Sequence, residues 1–450
     1  VGAIALDANT TAGGNSAFGY AALSANTTGG SNTGVGFGVM SGNTTGANNT
    51  AIGNQALEAN TVGTENVVIG AYAADAGTNI SNTVAIGYNA LTNTTNNHNT
   101  ACGSKALEDT TSGSSNVAVG SLALTDNITG GGNTAVGFSS LRYGTAATGN
   151  AALGSGALQN TTASNSTALG YLALNNNTNG ARNNAVGSFA LDDNTTGGYN
   201  DAHGYGALTN NTTGSNNVAF GYIALFHATT ASDNTAIGSY ALDACTTGSG
   251  NVAVGHDALG SMEAGSQNVA VGHEALRDDT SNGSKVSIGY KSQKHNTGAE
   301  NTSVGGHTME ASSSTGQMNT AVGSQSMSDL TAGSFNAAFG RKALHSLTSG
   351  GANVALGNGA GQNMTTCQDN TAVGCDAMSF NTTGNDNTAV GRQALQNNTT
   401  ASNNTAVGNF ALNANTTGSL NTAVGNAALD ACTTGGENTA MGEGAMSELT

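Results

Sequence analysis

The sequence predicts an all-β fold: a parallel β-solenoid with about 27 coils and a 17-residue period. Three observations carry this. A short glycine-containing motif recurs along the whole chain. Between its recurrences, brief alternations of apolar and polar residues give way to turn-forming residues. The composition is also far from that of an ordinary globular protein: Gly accounts for 67 of 450 residues, Pro and Trp are absent, and 8% of residues are charged, against roughly 25% in typical domains. A disordered chain of such composition would lack regularly spaced aliphatic residues, and here the spacing is strict.

The recurring glycine stands at positions 2, 19, 36, 53, 70 and onward to 442, 27 times in all; of the 26 intervals, 22 are 17 residues, three are 16 and one is 18. Such self-similarity is the mark of a repeat architecture. The consensus unit, N-T-A-V-G-x-x-A-L-x-x-N-T-T-G-x-x, is clearest at Asn404-Thr405-Ala406-Val407-Gly408 and Asn421-Thr422-Ala423-Val424-Gly425. Its first element is a short strand. The residue before the glycine is aliphatic, Phe, Met or Cys in every repeat except at His203, and reads as a buried column. Side chains alternate faces along a strand, so the Ala before it points the opposite way and reads as a column held small for close approach by another surface. The glycine allows a bend that a Cβ would hinder. The next pair, as in Ala411-Leu412, reads as a second short strand adding Leu to the interior. The stretch Asn415-Thr416-Thr417-Gly418 is a corner, because Asn and Gly tolerate left-handed backbone. A helical repeat is excluded: no 3.6-residue stripe runs through the unit, and Gly and Asn are unfavourable in helix interiors. One coil cannot bury its apolar residues alone, whereas stacked coils share a continuous core. Asn residues in register from coil to coil can form amide ladders.

The pentad, in variants such as Asn251-Val252-Ala253-Val254-Gly255 and Asn66-Val67-Val68-Ile69-Gly70, resembles the S-V-A-I-G motif of trimeric autotransporter adhesin heads. The Ala three residues after the glycine matches as well, and the resemblance covers the whole chain. It implies a left-handed parallel β-roll with three rolls side by side, in which the Ala column would form the trimer contact. The unit here is longer than the family's usual one, so the N-T-T-G corner reads as an enlargement. The coiled-coil stalk and membrane anchor of that family are not seen. The repeats are also similar to those of bacterial and phage tail-fibre-like proteins.

The whole chain, 1–450, reads as one continuous array, a segment of a longer protein, with irregular coils over 277–323. Four of the ten basic residues fall at Arg277, Lys285, Lys291 and Lys294, and Gln293 replaces the usual Leu. These bases are a candidate contact patch for an acidic partner. Asn9, Asn26, Asn43, Asn194, Asn211, Asn381, Asn398 and Asn415 each begin an Asn-Thr-Thr stretch, which is an N-x-T sequon, and are candidate glycosylation sites. Among the five cysteines, Cys102 fills the column before the glycine, while Cys245 and Cys432 occupy the Asn corner column, where an inter-chain disulfide is conceivable. His203 in the aliphatic column reads as a hydrogen-bonded core histidine.

Function follows mainly from exclusion. The net charge of −17 disfavours nucleic acid and anionic membranes as partners. No catalytic motif, cofactor fingerprint or metal-ligand spacing appears, and coils of constant length leave little room for an active site. The chain is therefore expected to be a structural or adhesive fibre segment on a cell surface or virion, without catalysis, cofactor or metal. Self-association as a homotrimer or an end-to-end filament is expected. A phage or virus tail-fibre segment is the main alternative, and an ice-binding solenoid a lesser one.

Overall fold

The computed structural model describes residues 2–280 and 283–449. Ser281 and Asn282, within the irregular stretch, lie outside the described residues. The chain forms two compact units, Val1–Thr230 and Ala231–Thr450. Each is a parallel β-solenoid, and the described residues contain no helix. The first unit carries strands β1 (Ser16–Phe18) to β13 (Val218–Phe220), the second β14 (Thr235–Ile237) to β26 (Thr439–Met441), all three residues long.

Within each unit, strands of successive coils pair in parallel with like residues opposite. Thr405, Ala406 and Val407 face Thr422, Ala423 and Val424 in the next coil. The 16-residue intervals keep this register, as in Val84 opposite Thr100. The 18-residue interval takes up its extra length between Met309 and Ser314, where Ser314 bridges to Asn296.

The strand faces are the reverse of the sequence expectation. In every described strand the middle residue is buried and the two flanking residues are half-buried or exposed. Ala51 is fully buried, while Ile52 beside it is 40% exposed. The Ala column is therefore the core, and the Val column faces out. The reason is the narrowness of the coil. The strand centre packs directly on the Ala-Leu pair that follows the glycine, and that gap accepts little more than a methyl group. Two exceptions show the constraint. Where Gly34 takes the Ala position, the opposing pair is the larger Val39-Met40, and a Cβ added at Gly34 would lie 3.2 Å from both side chains. Where Val68 takes it, the opposing pair shrinks to Ala73-Ala74, and all three are fully buried. Interior volume is conserved coil by coil, as close packing requires.

The Ala-Leu segment is a run of turns rather than a second strand. Gln55 (φ 54°) and Leu57 (φ 56°) both lie in the left-handed region. The segment is nonetheless tied to both neighbouring coils: the Gln55 N–H donates to the Phe37 carbonyl at 2.8 Å and the Leu57 N–H to the Ala73 carbonyl at 3.0 Å. The repeated glycine is indispensable to the stacking. Gly53 has φ 142°, and a Cβ there would lie 2.4 Å from the Gly70 oxygen of the next coil.

Two asparagine columns complete the interior. Asn49 in the strand-entry column is fully buried. Its N–H donates to Oδ1 of Asn32 (3.0 Å), its Nδ2 to the Gly63 carbonyl (2.9 Å), and its Oδ1 accepts the Asn66 N–H (3.1 Å). Each amide thus joins three coils. The ladder recurs in the second unit through Asn353, Asn370 and Asn387. The amide ladders expected from the sequence are present, and the strand-entry ladder pairs amide groups, such as those of Asn49, that burial would otherwise leave without partners.

Candidate functional surfaces

The strand faces present a long surface of one character. Their outward residues are Thr, Val, Ile, Leu and Phe with few exceptions. Among the described strands the outward positions include one acid, Asp201, one histidine, His203, and no Lys or Arg. Exposure is substantial at Phe18 (54%), Leu153 (49%) and Leu356 (48%). Within one unit, 13 coils at about 4.8 Å spacing make a stripe roughly 60 Å long and on the order of 500 Å² in area. That is at the upper end of what monomeric proteins expose. His203 is part of this face rather than of the core. Its Nε2 lies 2.8 Å from Oδ1 of Asp201, and its ring stacks on Phe220 with centroids 4.3 Å apart. Cys102 likewise lies half-buried on the outer face.

Aromatic rows, which the sequence reading did not assemble, run beside this face just beyond the glycine bend. In the first unit Tyr171, Phe189, Tyr205 and Tyr222 touch in succession, with ring centroids 5.4, 5.7 and 5.5 Å apart. In the second, Tyr240, His256, His273, Tyr290 and His307 form a comparable series at 5.2–5.8 Å. The signal was present as aromatic or His residues one or two places after successive glycines.

The basic patch divides into two parts. Lys285 is not on the surface: it is fully buried in the strand-entry Asn column, with Nζ 2.7 Å from Oδ2 of Asp279, itself fully buried in the corner Asn column. Its Nζ also donates to the Asn296 carbonyl at 3.2 Å. An ion pair replaces two amides in this coil. Burial pushes the Lys285 ammonium below its ordinary range, and the Asp279 carboxylate works against that shift. The remaining bases converge on the chain's own acids. Lys294 lies 2.7 Å from Glu274, Arg277 3.4 Å from Glu274 and 3.1 Å from Asp257, and Lys291 4.0 Å from Glu274. Hydrogen bonding and charge from Lys294 hold the Glu274 carboxyl below its usual value. The patch is thus internally balanced rather than an open cationic surface.

The interior beside it is polar as well. Gln293, at a Leu position, donates from Nε2 to the Val286 carbonyl (2.9 Å) and to Oγ of Ser303 (2.8 Å). Ser287 donates to the Ser292 carbonyl at 2.7 Å. Four polar residues fill the space that Ala and Leu fill elsewhere.

The sequon asparagines are corner-ladder residues. Asn26, Asn43, Asn194, Asn211, Asn381, Asn398 and Asn415 are fully buried. Each Nδ2 donates within its own corner, as from Asn43 to the Gly46 carbonyl (3.0 Å) and from Asn194 to the Gly197 carbonyl (2.9 Å). It also reaches the preceding coil in pairs such as Asn211 to Asn194 (2.7 Å). A folded coil therefore withholds these seven nitrogens from glycosylation. Asn9 alone of the eight is exposed. Cys245 and Cys432 occupy the same column, fully buried, with each Sγ 3.5 Å from the carbonyl oxygen of Gly248 or Gly435. Neither can reach a second chain, which removes the basis for an inter-chain disulfide.

Among the described residues no group of three or more His, Cys, Asp or Glu is arranged to hold a metal ion. Nor, among the described residues, is any helix long and apolar enough to cross a membrane. No protein-family model matches the chain, and a search of curated proteins finds no match.

Proposed function

We propose that this chain is a structural segment of an extracellular fibre, on a cell surface or a virion, whose coils do mechanical and adhesive work and no catalysis. The observation that supports this most is the nearly uncharged face of aliphatic and threonine residues, built from the same columns in coil after coil. Burying Val or Ile side chains there against another surface is worth roughly 1.5–3 kcal/mol for each one fully covered. A second copy of the chain is the natural cover, since its own face has the same repeat and the same scarcity of charge. Lateral packing of copies then rests on the Val column, not on the Ala column, which lies in the core. The trimer implied by the adhesin-head resemblance remains the expected assembly on this different footing.

The test is to place charge on that face. Val373→Lys with Val407→Lys, two coils apart, should dissociate the assembly while leaving the far-UV circular dichroism unchanged. An assembly of unchanged mass would defeat lateral packing through this face. A second reading draws on one feature: Thr371, Thr388, Thr405, Thr422 and Thr439 stand in line on the outward face. A regular threonine array favours an ice-binding role, which thermal hysteresis measurements would register.

A further inference from the structure

The outward face of the first unit is interrupted at one place. Asn184, Asp201 and His203 stand on adjacent strands where Thr, Thr and Val are usual. Asn184 Nδ2 donates to Oδ1 of Asp201 (2.9 Å) and lies 3.0 Å from Nε2 of His203. The cluster is open to solvent, with the His203 side chain 31% and the Asp201 side chain 41% exposed. A copy of the chain seated here would have to take the Asp201 carboxylate and its polar neighbours out of water, which is costly, so the self-packing face has a gap at these coils.

Two residues beyond His203, across the glycine bend, lies Tyr205, in the middle of the aromatic row. Tyr171, Tyr205 and Tyr222 are 51%, 50% and 45% exposed. Rings at successive coils thus border a cluster with a carboxylate oxygen, an amide oxygen and an imidazole nitrogen. This juxtaposition suits one kind of ligand: a molecule with an apolar face for the rings and an edge of hydroxyls for the polar trio. We infer that this surface of residues 171–222 binds a neutral oligosaccharide, its sugar rings lying along the tyrosine row and its hydroxyls bonding to Asn184, Asp201 and His203. Anionic glycans are disfavoured, because Asp201 is at the site and the chain carries a net charge of −17. The inference goes beyond the fibre reading and is tested separately from it.

The experiment is an array of immobilised neutral, sialylated and sulfated oligosaccharides probed with the full chain, followed by titration of the strongest neutral binder. Signal is expected on neutral members. Tyr205→Ser, and separately Asp201→Thr with His203→Val, should each weaken the affinity roughly tenfold or more. Both changes install residues that other coils carry at these positions, such as Ser188, Thr235 and Val254, so circular dichroism and melting temperature should hold. The inference is overturned if no neutral glycan binds, if only charged glycans bind, or if both variants bind as the wild type does. Assembly mass in the same samples reports the fibre reading independently: lost glycan binding with an intact assembly would leave that reading standing, and the reverse would leave the glycan site standing.

Discussion

At the scale of single residues, the least typical pair is Asp279 with Lys285. Removing one partner leaves an uncompensated charge in a space closed to solvent, whereas replacing both with the consensus amides restores the ladder. Asp279→Asn alone should therefore cost roughly 3–5 kcal/mol. The double variant Asp279→Asn, Lys285→Asn should be at least as stable as the wild type. Denaturant melts of the four species measure this, and additive losses would count against the pairing. Asp192 offers a pH-dependent counterpart. Burial first, then repulsion from Asp193, pushes its carboxyl from 3.8 up to about 6. A folded-state value above the unfolded one means that the folded form binds the proton more tightly. Stability at this site is thus lost as pH rises from 3.8 to 6. Asp192→Asn should remove that loss, so its advantage over the wild type should appear across this window and level off above it. The thiols supply a simpler check. Burial raises Cys245 and Cys367 to about 11, so an alkylating reagent should label exposed Cys375 in the native protein and spare these two until unfolding.

At the scale of the coil, packing couples the strand centre to the turn that follows the glycine. Val68 with Ala73-Ala74 and Gly34 with Val39-Met40 are two solutions of one volume constraint. Val68→Ala should cost about 1–3 kcal/mol through the void it leaves, and Ala74→Leu a similar amount through overpacking. Combined, they recreate the consensus coil and should come close to wild-type stability. A double-mutant cycle with no coupling would refute the packing scheme. The same coupling explains what was legible in the sequence. The period, the corners and the asparagine ladders could all be read, because each depends on residue type at fixed spacing. Which alternate residue faced inward could not be read from hydrophobicity, which favours Val over Ala. The answer depends on the gap across the coil, and the compensating substitutions at residues 34–40 and 68–74 were its only trace. The second strand was also misplaced. Apolar Ala-Leu pairs resemble strand ends, but left-handed residues such as Gln55 and Leu57, at about 1–2 kcal/mol each, are held there by inter-coil hydrogen bonds that no local pattern encodes.

At the scale of the whole molecule, each unit is a repeated coil with asparagine ladders inside and an aliphatic stripe left outside. The candidate basic patch dissolved into a buried ion pair and a self-neutralised cluster, and seven of eight candidate glycan-bearing asparagines became ladder amides. What sequence reading took for an interior column became the most extensive surface feature. The aromatic row with its polar trio was hidden for a related reason: residues 17 apart become neighbours only once the coil is known to stack in register. The fibre reading depends on whether that aliphatic stripe is covered by further copies of the chain. Sedimentation equilibrium of the wild-type protein at micromolar concentration tests this most directly. The expected result is a single species at a small multiple of 43.9 kDa, with three copies the expected number. A stable monomer across the concentration range would contradict it.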